Sequence, residues 1–121
     1  MNSEELVPSL ELCKKIPAGE FEDCGLYWAQ IDPGVYSVFL KDCGYCTIFD
    51  VSHKDEDSFP APTVTEILKV LWDDYQKPTV YFRNIWYATV VNDYGDEITA
   101  IDDKNSANAA LKLWLKLKGI E

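Results

Sequence analysis

Apolar positions recur along this chain at two spacings, which predict three helices and five or six strands. A spacing of three to four residues marks helices in segments 6–16, 63–75 and 105–119. The second helix opens with Thr63 and Glu66, a capping box in which the threonine caps a free N–H and the glutamate reaches back. The third helix begins at Asn105 or Ser106 and ends at Gly119, a residue suited to a C-terminal stop.

Aromatic and β-branched runs predict strands at 26–31, 35–40, 46–51, 79–82, 85–91 and 98–101. Short connections such as Asp32-Pro33-Gly34 favour antiparallel pairing. The pattern therefore predicts an α+β fold, in which three helices pack mainly on one face of a single antiparallel sheet of about five to six strands. Its length fits a single domain covering residues 1–121.

The balance of charge limits the classes of partner. The chain has 21 acidic and 11 basic side chains, a formal net charge of −10. Proteins that neutralise phosphates present a basic face, so this balance disfavours direct nucleic-acid binding and docking on anionic membranes. An acidic surface suits solubility, which is the simplest interpretation, but also a basic protein partner or imitation of nucleic acid.

The sequence shows neither the basic start and apolar run of a signal peptide nor an apolar run of transmembrane length. Its 4 cysteines are too few to define a small secreted disulfide scaffold. We therefore expect a cytoplasmic protein whose thiols are free.

A C-x-x-C motif is the strongest candidate for metal or redox chemistry. Cys43 and Cys46 have the spacing with which two thiolates hold one zinc ion or exchange a disulfide. A zinc site needs two more ligands, and the other candidates, Cys13, Cys24 and His53, are widely scattered. Ordinary turn and core thiols are the simpler interpretation. His53 stands in a charged run with no nucleophile to pair with, so we predict neither an enzyme nor a cofactor.

Aromatic pairs and acidic runs supply a candidate binding surface. Adjacent aromatic residues in a strand place one ring on each sheet face, so some of these rings lie outside the helix-covered core. An uncovered aromatic face marks a partner or self-association site, whereas base stacking would need a positively charged groove. The acidic runs lack the spacing of a calcium loop, and a solvated face competes with a docking surface as their interpretation. The candidate residues are Tyr27, Trp28, Tyr81, Trp86 and Tyr87, with Asp55, Glu56 and Asp57.

Three stretches resemble a known family: residues 7–23 (VPSLELCKKIPAGEFED), 61–63 (APT) with 66–68 (EIL), and 109–115 (AALKLWL). The family consists of small proteins encoded in phages, prophages and mobile regions of bacteria, notably gut Bacteroidales. It has no established activity, so the resemblance assigns no functional residue. It implies a phage or mobile-element accessory protein in a bacterial cytoplasm.

These observations favour a non-enzymatic accessory protein that binds another protein through an acidic and aromatic surface. One version inhibits a host nucleic-acid-binding protein through the acidic face. Two alternatives stay open: a self-assembling homo-oligomer, such as a homodimer that pairs exposed aromatic surfaces, and a small metal or thiol-redox protein that uses Cys43 and Cys46.

Overall fold

The computed structural model describes residues 6–21, 24–40 and 58–120. This part of the chain contains three helices, α1 (Leu10–Cys13), α2 (Val64–Asp74) and α3 (Ser106–Leu117). Its strands are β1 (Leu26–Asp32), β2 (Val35–Leu40), β3 (Ser58–Pro60), β4 (Gln76–Arg83), β5 (Ile85–Val91) and β6 (Glu97–Asp102). The fold is α+β, as the sequence predicts.

The strands form two antiparallel sheets of three strands each. The first has the order β2-β1-β3 and the second the order β4-β5-β6. The prediction of one sheet with five to six strands is therefore wrong in its connectivity. Pairing stays within each group, and α2 separates the two groups along the chain.

The third strand of the first sheet is β3, which the sequence analysis did not predict. It places Phe59 opposite Trp28 of β1. Three residues are too few for apolar and polar positions to show an alternation, so the pattern gives no signal here. The strand predicted at 46–51 lies outside the described residues.

The first helix is much shorter than the predicted segment 6–16. Ser9 is its N-cap and accepts a hydrogen bond from the Leu12 N–H at 3.5 Å, so the helix begins at Leu10. The two residues before the cap, Val7 and Pro8, are buried and not helical. The Pro8 carbonyl accepts a hydrogen bond from the Trp28 indole N–H at 3.1 Å, which holds this segment against β1.

The start of α2 confirms the predicted capping box. The Thr63 hydroxyl accepts from the Glu66 N–H at 3.3 Å, and the Glu66 carboxylate accepts from the Thr63 N–H at 2.9 Å. The same carboxylate accepts from the Gly25 N–H at 3.1 Å. One side chain therefore caps the helix and ties it to the residue that precedes β1.

Helix α3 lies at the centre of the packing. Asn105 caps it by accepting from the Asn108 N–H at 2.6 Å. It packs on β5, β6 and α2. One hydrophobic cluster joins the two sheets and all three helices. Eight residues of α3 are buried: Ala107, Asn108, Ala109, Ala110, Leu111, Leu113, Trp114 and Leu115.

Candidate functional site

The second sheet has two different faces. Ala88 and Val90 of β5 are 0% exposed and belong to the core beneath α3. Because side chains alternate along a strand, their neighbours on β5 point to the opposite face, which we call the outer face. The register places two rows of side chains there: Tyr81, Tyr87 and Ile101 in one row, and Thr79, Thr89 and Thr99 in the other.

The aromatic row of the outer face combines order with exposure. The rings of Tyr81 and Tyr87 stack with centroids 5.0 Å apart and an interplanar angle of 9°. Tyr81 is 42% exposed and Ile101 is 50% exposed. None of these three side chains joins the hydrophobic core cluster. The row is a flat amphipathic strip whose hydroxyl groups can donate and accept hydrogen bonds at its rim.

Trp86 and Phe82 lie on the other side of the same hairpin. Their rings meet edge to face with centroids 5.1 Å apart. Trp86 packs against the core, whereas Phe82 is 61% exposed at the end of β4. The predicted pair Trp86 and Tyr87 therefore does split between the two faces, as alternation along β5 requires.

The two predicted residues of β1 lie in the other sheet. Trp28 is 8% exposed and its indole N–H is bound to the Pro8 carbonyl, so it belongs to the core and not to a binding surface. The burial follows from the docking of residues 7 and 8 on β1, a contact far apart in sequence. Tyr27 is half-buried against Phe39, with ring centroids 5.9 Å apart.

Five predicted residues lie outside the described ranges. They are Cys43, Cys46, Asp55, Glu56 and Asp57. Of the predicted surface, the described residues bring together Tyr81 and Tyr87 only.

Phe82 and Ile101 are exposed residues that sequence reasoning missed. Phe82 had no usable signal, because alternation along β4 places it on the same side as Val80, which packs against the core; its exposure comes from its position near the end of the strand. Ile101 had no signal either, since its exposure depends on how α3 lies over β6.

A buried carboxylate organises the junction between β6 and α3. Asp102 is 6% exposed. One of its oxygens accepts from the N–H groups of Lys104 (2.8 Å) and Asn105 (3.1 Å) and from the Asn108 amide (3.2 Å). The other accepts from Lys112 Nζ at 2.7 Å. The carboxylate therefore holds the junction together through four donors.

The pKa of Asp102 reflects this environment. Burial alone raises the pKa of a carboxyl group, but hydrogen bonds from Lys112, Asn105, Lys104 and Asn108 offset that effect. The net result is a pKa below the ordinary value for aspartate. The group is ionised at neutral pH and stabilises the fold in that form.

Cys13 and Cys24 are buried cysteines of the core. Burial, aided by the nearby Cys24, raises the pKa of the Cys13 thiol to about 12. A thiol in that state is a poor nucleophile and a poor metal ligand at neutral pH. Within the described ranges, no group of three or more His, Cys, Asp or Glu side chains is placed to hold a metal ion.

A shallow cleft of about 330 Å³ lies between α1 and the end of α3. Two of its lysines are already bound within the protein, Lys112 to Asp102 and Lys116 to the Thr99 carbonyl. This leaves little free charge for a ligand. Its lining is Leu12, Lys15, Lys112, Leu115, Lys116, Gly119 and Ile120.

Comparisons with protein-family models, with curated proteins and with solved structures found no match to this chain. Among the described helices, none has the length and apolar character needed to cross a membrane.

Proposed function

We propose that the protein is a non-enzymatic binding module that docks on another protein through the outer face of the second sheet. The observation that carries this proposal is the stacked pair Tyr81 and Tyr87 beside the exposed Ile101, on the face opposite to α3. Tyrosine supplies a large rigid contact area at low entropic cost, and aromatic residues are enriched in the cores of protein interfaces.

The charge of the chain shapes the choice of partner. A net charge of −10 steers a basic protein toward this molecule and opposes association with nucleic acid. We therefore propose a basic host protein as the partner, such as one that binds nucleic acid and is inhibited when the acidic module occupies it. The resemblance to phage and prophage proteins supports this setting.

A pull-down with the tagged protein from a bacterial host lysate, washed at low and at high salt, tests the proposal. We expect one host protein to be retained at low salt and released at high salt, because contacts between exposed charges are screened by ions. Tyr87→Ser removes a stacked ring and should reduce retention. Thr65→Ser, on the exposed side of α2, is the control that should leave retention unchanged. Retention that is unchanged in Tyr87→Ser, or no retained protein at either salt, would overturn the outer face as the docking site.

Self-association through the same face is the competing function. It predicts a dimer in sedimentation at high protein concentration that Tyr87→Ser dissociates. The high like charge of two copies opposes this arrangement.

A further inference from the structure

The two edges of the second sheet differ in whether their outward carbonyl groups are satisfied. Strand β6 forms one edge and β4 the other. An edge strand exposes a row of N–H and C=O groups that can pair with another strand. The structure shows which groups face outward on each edge, and what meets them.

The β5–β6 hairpin fixes the direction of the backbone groups. The Asn92 N–H donates to the Asp96 carbonyl at 3.0 Å, so these two residues form a hydrogen-bonded pair. Hydrogen-bonded and non-bonded pairs alternate along an antiparallel ladder. The groups of Thr99 and Ile101 on β6 therefore point away from β5, toward the free edge.

Lysines from α3 occupy the outward carbonyls of the β6 edge. Lys116 Nζ donates to the Thr99 carbonyl at 3.1 Å, and Lys112 Nζ approaches the Ile101 carbonyl at 3.4 Å. These are the outward carbonyls identified from the hairpin. Charged side chains along an edge are a common protection against pairing with another strand.

The same alternation, carried across β5, defines the β4 edge. The backbone N–H and C=O groups of Tyr87 and Thr89 form no hydrogen bonds with β6, so they face β4. Their register partners there are Tyr81 and Thr79. The N–H and C=O groups of Val80 and Phe82 then point to the free edge. No hydrogen bond within the described ranges involves these outward groups.

Only the beginning of β4 is protected. Lys77 has a φ of 51° at a register shift, and Pro78 has no N–H to offer a partner. Residues 79–83 follow in regular register. Tyr81 and Phe82, 42% and 61% exposed, point to opposite faces of this open stretch.

The charge of β4 is opposite to that of the chain. The strand QKPTVYFR contains Lys77 and Arg83 and no acidic residue, in a chain of net charge −10. Both side chains are exposed, and neither forms a salt bridge within the described ranges, not even with Asp73 or Asp74 at the end of α2. A second copy of β4 would bring like charges to this edge, whereas an acidic strand would neutralise them.

We propose that the β4 edge binds an extended acidic peptide segment of the partner protein by strand addition. The outward groups of Val80 and Phe82 supply main-chain hydrogen bonds, and Lys77 and Arg83 select carboxylates at the two ends of the added segment. Alternate side chains of the peptide contact Tyr81 on one face and Phe82 on the other. This inference rests on the proposed function and names a local acidic segment, which a basic partner can also contain.

Selection from a displayed pool of random ten-residue peptides, with the full chain as bait, tests the inference. We expect enrichment of peptides that combine β-branched residues with Asp or Glu. Methylation of the backbone nitrogens of a selected peptide should weaken binding about tenfold or more, because it removes the donors that pair with β4. An enriched set without acidic bias, a peptide indifferent to N-methylation, or an empty selection would overturn the edge site.

A pair of variants at Phe82 and a charge reversal at Arg83 make the result specific. Phe82→Pro removes an outward N–H, while Phe82→Thr removes the same ring and keeps the N–H, so only the additional loss in the proline variant reports strand addition. Arg83→Glu should weaken acidic peptides and strengthen their Lys-substituted versions, a reversal that misfolding cannot produce. Equal effects of the two Phe82 variants, or no reversal, contradict the site. A host protein that is lost with Tyr87→Ser but kept with Phe82→Pro would leave the binding function and overturn the edge.

Discussion

The side chain of Asn108 joins the two ends of the described chain. Its amide oxygen accepts from the Ser9 N–H at 2.7 Å across 99 residues, and its amide nitrogen donates to Asp102 at 3.2 Å. Asn105 adds a weaker bond to the Val7 carbonyl at 3.4 Å. Asn108 is 3% exposed, so a buried polar side chain fixes the N-terminal segment on α3.

Replacement of Asn108 by alanine is expected to lower the free energy of unfolding by about 2–3 kcal/mol, because it leaves the Ser9 N–H and one lone pair of Asp102 without partners in a buried site. Urea denaturation followed by fluorescence measures the change. Asn92→Ala is the matched control, since the Asn92 side chain also forms two hydrogen bonds, both accepted from backbone N–H groups, but in an exposed turn where water replaces them. Equal losses in the two variants would show that burial does not determine the cost.

The contribution of Asp102 to the stability of the fold is expected to be lost in acid. Its pKa is lowered in the folded protein, so its contribution is present above the unfolded value of about 4 and is lost as pH falls through the folded value. Asp102→Asn should therefore be less stable than the parent at pH 7, with a difference that shrinks as pH falls below about 4. Thermal melts from pH 7 to pH 2 test this. The exposed neighbour variant Asp103→Asn removes the same charge and should follow the parent curve; a constant gap for Asp102→Asn would contradict the assignment.

Cys13 is expected to resist thiol reagents in the folded protein. With a pKa of about 12 and a buried position, it is almost entirely the unreactive thiol at pH 8. Reaction with a disulfide reagent in a Cys43→Ser, Cys46→Ser background, which leaves Cys13 and Cys24, should proceed only as fast as the protein opens. Mild urea should accelerate it.

The raised pKa of Cys13 also predicts that the folded protein loses stability in alkali. The pKa of the Cys13 thiol is higher in the folded protein than in the unfolded chain. Its contribution to the free energy of unfolding is therefore complete below about pH 8.5 and declines as pH rises toward 12. Rapid labelling of Cys13 at pH 8 without urea would contradict both expectations.

Two buried tryptophans are expected to differ in their tolerance of phenylalanine. Trp28 donates to the Pro8 carbonyl at 3.1 Å, whereas the buried Trp114 indole N–H has no hydrogen-bond partner within the described part of the chain. Trp28→Phe should therefore cost about 1–2 kcal/mol more than Trp114→Phe. Chemical denaturation of both variants gives the comparison. Trp114 is the more buried of the two, at 1% against 8% exposed, so the opposite order would mean that packing volume dominates.

Local signals in the sequence predicted the elements well. The Thr63 and Glu66 box works because both partners lie within one helical turn, and the pattern of residues alone specifies it. The β1–β2 turn, with Gly34 at a φ of 78°, is equally local. Strands β1, β2, β5 and β6 and helix α3 accordingly fall close to their predicted segments.

Contacts far apart in sequence explain what was not predicted. The division into two sheets depends on which strands pair, and α1 is short because Val7 and Pro8 dock on α3 and β1 instead of extending the helix. The burial of Trp28 follows from the same docking. In the candidate site, alternation correctly separated Trp86 from Tyr87, but it could not say which ring α3 would cover, since that depends on the orientation of the sheet.

The lysines that occupy the outward carbonyls of β6 also restrict how assembly can proceed. Fibres that grow by joining sheets edge to edge need two complementary open edges on every subunit. In the second sheet Lys112 and Lys116 occupy outward carbonyls of one edge. Joining of β6 of one copy to β4 of the next is therefore opposed, which disfavours fibres that grow through the second sheet.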